Sequence, residues 1–357
     1  MKIIRSLLKI SLELAAIFIL AIFILRAYHG HKNEQALAIR SPDGIDEAMY
    51  VKIGGIEQWI QIRGQNRANP VLLCVHGGPG GTWIPLTGLF TPWEKDFTVV
   101  LWDQRGAGKT LESTGASSAE TMSVDRMSQD GIEVAEFLRD HLHQPKVFLL
   151  GHSWGSILGI HMAKLRPDLF YAYAGTGQVS DMPRGQRIGY DFVLAKARAA
   201  KDRHTSQAFE NIGPPPYDDM RKIGVFFTGL DDYEIEKPIH SPTGTFTSPA
   251  PHYSVWDEVE RRRGFLTVPT LRVYREMLST NLADFATSFQ IPIFFFQGTE
   301  DERTPASLAR EYFDTIQAPR KEMVMFEGAG HFAVWSMRDE FLKELDRRVR
   351  PLVEKTP

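Results

Sequence analysis

The chain has a single cysteine, Cys74, among its 357 residues. An internal disulfide is therefore excluded, and Cys74 lies inside the apolar run Val71–Val75, where a buried strand thiol is its expected role. Strong charge of either sign is also missing. A formal net charge of −3 leaves no electrostatic footprint for nucleic acid. No Cys/His cluster has zinc-ligand spacing and no phosphate-loop motif occurs, so the sequence implies neither a metal nor a nucleotide cofactor. No internal repeat stands out. What remains is an ordinary globular composition, 43% hydrophobic and 24% charged, long enough for one large domain with an insertion.

Residues 1–26 differ from the rest. Lys2, Arg5 and Lys9 precede a charge-free run from Leu14 to Leu25, and extending that run back to Leu7 includes Lys9 and Glu13. A bilayer span needs about 20 apolar residues. Basic residues ahead of an apolar core suit a membrane anchor or a signal segment, and Arg26, Tyr28 and His29 stand where a small-residue cleavage site would fall. The expectation is an N-terminal anchor, with its basic end cytoplasmic and the remaining chain extracytoplasmic. Residues 27–47 read as a polar tether.

From residue 48 to 180 strand and helix patterns alternate. Met49–Ile53 and Ile56–Arg63 flank Gly54-Gly55 as a hairpin; Val71–Val75, Phe97–Leu101, Val147–Leu150 and Phe170–Ala174 read as further strands. Met127, Ile132, Ala135, Leu138 and Leu142 mark a helix between them. This alternation predicts an α/β fold with a mostly parallel central sheet flanked by helices. It breaks at 181–287, a stretch rich in charge and proline with helical patterns near 187–211 and 269–286, best explained as a mainly helical cap insertion. The core pattern resumes over 288–357.

Residues 151–155, Gly-His-Ser-Trp-Gly, join a strand to a helix. In that context G-x-S-x-G is a nucleophile elbow: a strained turn projects the serine hydroxyl above the sheet, and the helix N-terminus faces any oxyanion formed there. A serine hydroxyl needs a neutral histidine to take its proton and a carboxylate to orient that histidine. Two later strand ends supply candidates: Gly298-Thr-Glu-Asp301-Glu302 and Gly328-Ala-Gly-His331. Strand C-termini of a parallel sheet share one edge, so Ser153, Asp301 and His331 are expected to converge, with Glu300 and Glu302 as competing acids. His76-Gly-Gly-Pro-Gly80 follows another strand, and its free backbone N–H groups suit a developing negative charge. The expected oxyanion donors are the N–H groups of Gly78 and Trp154.

Together, His76–Gly80, Asp103-Gln-Arg-Gly106, Gly151–Ser156, Gly298-x-x-Asp301 and Gly330-His331 make the sequence resemble the proline iminopeptidase branch of the α/β-hydrolases, over about residues 48–180 and 288–350. The resemblance implies Ser153 as nucleophile, Asp301 and His331 as its partners, Gly78 and Trp154 as oxyanion donors, a helical cap, and action on N-terminal amino acids, often proline. Asp103 and Arg105 are expected to be structural ties. The chain departs from the family's Gly-Gly-Ser-Trp-Gly by carrying His152. An aminopeptidase also needs anionic groups for the substrate ammonium, and the cap offers Glu210, Asp231, Asp232, Glu234, Glu258, Glu260 and Glu276. The expected activity is that of a serine hydrolase on small amides or esters, most sharply an aminopeptidase acting on short peptides. A carboxylesterase or lactonase is the alternative within the fold, and a non-catalytic binding module the alternative outside it.

Overall fold

The computed structural model describes residues 2–217, 219–239, 253 and 268–355. Eight strands form one sheet: β1 (Ile45–Ile53), β2 (Ile56–Gly64), β3 (Val71–Val75), β4 (Thr98–Asp103), β5 (Val147–His152), β6 (Phe170–Thr176), β7 (Ile293–Gly298) and β8 (Lys321–Phe326). Their order is β1-β2-β4-β3-β5-β6-β7-β8. The β1–β2 hairpin is antiparallel and β2 meets β4 antiparallel, while every pairing from β4 to β8 is parallel.

The parallel strands are hydrophobic on both faces because helices cover both. Val71, Leu73 and Val75 of β3 pack into one apolar cluster, whereas Leu72 and Cys74 pack into the other. Leu149 and Leu150 of β5 divide in the same way. Cys74 is a free thiol within the second cluster, and burial pushes its pKa up.

The helices include α1 (Lys2–Leu37), α2 (Val124–Leu142), α3 (Trp154–Leu165), α4 (Met182–Ala199), α5 (Arg203–Ile212), α6 (Met220–Tyr233), α7 (Val268–Leu278), α8 (Ala306–Thr315) and α9 (Arg338–Arg348). Ser123 caps α2, its side chain accepting the Arg126 N–H at 3.0 Å, and Asp181 caps α4 through the Arg184 N–H at 3.0 Å. Helices α4 to α7 occupy the stretch between β6 and β7, where the strand–helix alternation breaks. Part of that stretch, 240–252 and 254–267, lies outside the described residues, and with it Glu258 and Glu260.

α1 is a single helix of 36 residues, about 54 Å long at ~1.5 Å per residue. Among the described residues it is the one helix long and apolar enough to cross a membrane, and its apolar side chains from Leu14 to Leu25 are exposed. Lys9 and Glu13 lie one turn apart with Nζ and Oε1 separated by 3.8 Å, which pairs the two charges that interrupt the run. The polar residues 27–37, expected as the start of a tether, continue this helix. Asn33 and Leu37 are buried, and the Leu37 carbonyl accepts a hydrogen bond from Arg63 of β2.

Candidate active site

Ser153 occupies the turn between β5 and α3 with φ 52° and ψ −123°, a conformation disfavoured for an L-residue. Glycine is required beside it. A Cβ on Gly155 would stand 2.1 Å from the Val75 carbonyl oxygen, because α3 crosses closely over β3 there. Trp154 is the first residue of α3, so its N–H has no intrahelical acceptor. Gly77 and Gly78, from the loop after β3, line the same cavity as Ser153.

Asp301 follows β7 and His331 follows β8. His331 Nδ1 is 3.2 Å from Asp301 Oδ1 and 3.1 Å from Oδ2. Among the three acids of the 300–302 run, Asp301 is the one that meets the imidazole. Its carboxylate is saturated by other donors: Thr304 N at 2.8 Å and Arg303 N at 3.1 Å to Oδ1, Gln297 Nε2 at 2.7 Å and Thr304 Oγ1 at 2.8 Å to Oδ2. Burial raises the Asp301 pKa to about 6, these donors opposing the shift, and burial with the nearby Arg303 charge lowers that of His331 to about 3. At neutral pH the imidazole is therefore uncharged. With Nδ1–H donated to the carboxylate, its Nε2 keeps a free lone pair.

Asp103, Gln104 and Arg105 are each tied into the surrounding fold by hydrogen bonds. Asp103 accepts from Thr82, Tyr253 and the Lys109 N–H. Arg105 makes a buried pair with Asp130 at 2.8 Å. Gln104 joins two parts of the site: its Nε2 donates to the His76 carbonyl at 2.9 Å and its Oε1 accepts Trp154 Nε1–H at 3.0 Å.

Ser153, His331 and Thr304 open onto a cavity of about 590 Å³. Met182, Met220, Ile223, Phe227 and Met277, all from the helices between β6 and β7, make it apolar. Its charged lining residue among those described is Arg303, 5.2 Å from the centre of the Phe227 ring. None of the described acids proposed from the sequence for ammonium binding lines it. Glu210 pairs with Arg198 on the surface, Asp231 with Arg303, and Asp232 is exposed. Glu276 accepts the Val124 N–H at the start of α2, and Glu234 faces the Asp301 loop. Sequence reasoning missed Gln297, Thr304 and Arg303, which no local pattern marks as site residues, although Thr304 three positions after Asp301 suits a side-chain-to-backbone turn.

Comparison with known proteins places this chain in a family. The alpha/beta hydrolase family profile matches residues 72–344. A probable aminopeptidase of Bacillus subtilis is 29% identical over 328 residues, covering 84% of this chain and 95% of its own. A proline iminopeptidase of Thermoplasma volcanium is 33% identical over 304 residues, covering 82% and 92%. Among solved structures, a proline iminopeptidase-related protein of Thermus thermophilus superposes with TM-score 0.62 at 18% identity, over 87% of this chain and 99% of its own. A bacterial membrane phospholipase A superposes with TM-score 0.63 at 16% identity over 100% of both chains. At such identities the solved structures speak for the fold alone. With the profile spanning most of its length, this chain belongs to the alpha/beta hydrolase family.

Proposed function

We propose that the protein is a serine hydrolase in which Ser153 is the nucleophile, His331 the general base and acid, and Asp301 the carboxylate that holds His331 in the productive tautomer. His331, hydrogen-bonded to the buried Asp301 and lining one cavity with the strained Ser153, carries this reading. Ser153 Oγ attacks the substrate carbonyl carbon while His331 Nε2 takes its proton. The oxyanion is met by the N–H groups of Gly78 and Trp154. The same proton then passes to the leaving amine or alcohol, and water repeats the sequence to release the acid and regenerate Ser153.

For the substrate we favour an aminopeptidase that removes an N-terminal residue with an apolar side chain, proline being the best-defined case. Its support is the aminopeptidase designation of relatives aligned over most of their length, together with the apolar cavity wall. A second reading, hydrolysis of neutral apolar esters, is favoured by Arg303, because a cation at the cavity opposes a substrate ammonium. α1 would anchor the enzyme to the membrane, with the catalytic domain extracytoplasmic.

A fluorophosphonate probe on the full-length protein in detergent should label wild type and leave Ser153→Ala unlabelled; an unreactive wild type sinks the serine mechanism. Prolyl and other aminoacyl 4-nitroanilides, compared with acetyl and longer acyl 4-nitrophenyl esters, separate the two substrate readings. Refusal of every free-amine substrate rejects the aminopeptidase.

A further inference from the structure

Four residues that leave α6, Glu234-Ile-Glu-Lys237, cross both loops that carry Asp301 and His331. Glu234 Oε1 accepts the N–H groups of Glu302 at 2.9 Å and Arg303 at 3.1 Å, the two residues after Asp301. Two positions on, Glu236 Oε2 accepts the N–H of Phe332 at 2.7 Å, the residue after His331, and its Oε1 accepts the Ser336 hydroxyl at 2.6 Å. Between them, the Ile235 carbonyl lies against Gly330, the residue before His331. A Cβ there would stand 2.4 Å from that oxygen and 3.1 Å from Glu236 Oε2. Lys237 Nζ completes the crossing by donating to the Glu327 carbonyl at 2.7 Å.

The strap thus touches the neighbours of Asp301 on one loop and both neighbours of His331 on the other. It spans two loops that also meet directly, through the 3.1–3.2 Å pair, through Thr304 Oγ1 at 3.3 Å from His331 Nδ1, and through the Glu300 N–H donated to the Ala329 carbonyl at 2.9 Å. Carboxylate-to-amide bonds are stronger than neutral ones, so they suit such a task. We propose that Glu236, with Glu234, is a positioning residue that holds the His331 loop against the Asp301 loop and so aligns the imidazole with Ser153. This rests on the roles given above to Ser153, His331 and Asp301. Neither glutamate touches the substrate cavity, so their removal should alter turnover and leave binding alone.

The test is the rate of fluorophosphonate labelling of full-length variants, read beside kcat and KM on whichever substrate the wild type accepts. Glu236→Ala should slow labelling and kcat about ten- to a hundred-fold, with KM within about twofold. Glu236→Gln should recover most of the rate, because its carbonyl oxygen still accepts the Phe332 N–H and its amide can donate to the Ser336 hydroxyl. Phe209→Leu, in the packing between α5 and α6, serves as a variant that lowers Tm without touching either loop. It should label at the wild-type rate below its Tm. Wild-type labelling by Glu236→Ala overturns the proposal, as does a Glu236→Gln no faster than Glu236→Ala, or an equal slowing by Phe209→Leu. Should Glu236→Ala fail to fold, Glu236→Asp, too short by one methylene to reach both partners, replaces it; a wild-type rate there is equally fatal. An unlabelled wild type instead brings down the catalytic reading, and the positioning role with it.

Discussion

His152 Nε2 lies 3.2 Å from the backbone carbonyl oxygen of His331, and the two imidazole rings are 4.8 Å apart. A carbonyl only accepts, so His152 carries its proton on Nε2. Its Nδ1 is buried without a partner, and burial, aided by the neighbouring His331, depresses its pKa well below the ordinary value. The residue before Ser153 is thereby tied to the backbone of the residue assigned as its base. His152→Phe keeps a ring between Trp83 and Phe332 but loses the bond. Fluorophosphonate labelling should slow about tenfold, on the order of the 1.4 kcal/mol of one hydrogen bond, with little change in Tm. A rate equal to wild type would show that the bond does not orient His331.

The pH dependence of activity should follow Asp301. Its carboxyl is raised to about 6, so a proton binds as pH falls through that value and the charge that holds His331 Nδ1–H is lost. Below about 6 the rate of labelling should decline, and above it a plateau is expected. Glu234, raised to about 6 mainly by burial and secondly by the Asp301 charge, titrates over the same range, so Glu234→Gln should be profiled in parallel. A limb that stays with Glu234→Gln and vanishes with a weakly active Asp301→Asn assigns it to Asp301. Activity that is flat from pH 5 to 8 would contradict the shift.

Arg303 should act on substrate choice. It lines the cavity, and its charge is met by Asp231 and Glu234. Replacement by Met removes the cation, so the site becomes more hospitable to an ammonium. The kcat/KM ratio of aminoacyl anilide over neutral ester should rise about tenfold, the equivalent of roughly 1.4 kcal/mol. A ratio unmoved, or shifted toward esters, would mean that Arg303 does not face the substrate amine.

Truncation should separate anchoring from catalysis. Side chains from Leu14 to Leu25 are exposed, whereas Asn33 and Leu37 are buried. Removing residues 1–25 should release the protein from membranes into carbonate-soluble material with labelling unchanged. Removing residues 1–37 strips an acceptor from buried Arg63, which should cost about 1–3 kcal/mol of stability in a urea titration. Full-length protein extracted by carbonate would argue against a membrane span.

The local features of this chain were legible because they depend on residues a few positions apart. Continuous apolar runs marked Val71–Val75, Phe97–Leu101, Val147–Leu150 and Phe170–Ala174 as strands near their observed places, since burial on both faces of a parallel sheet demands such runs. Ser153 could be placed at a tight strand-to-helix turn from Gly151 and Gly155 together with the strand and helix patterns on either side, because only glycine permits α3 to cross so near β3. Residues 27–37 were misjudged as tether for a local reason: their polar composition conceals the burial of Asn33 and Leu37. What tertiary structure decided lies between residues far apart in the chain. Asp301 over Glu300 and Glu302 as the partner of His331, the apolar wall built by Met182, Met220 and Met277, and Glu236 on the Phe332 amide all depend on how segments separated by tens to a hundred residues come to rest. Glu234 illustrates the limit: its sequence context marks it only as an acid in the cap, and the fold turns it away from the substrate and onto the loop that holds Asp301.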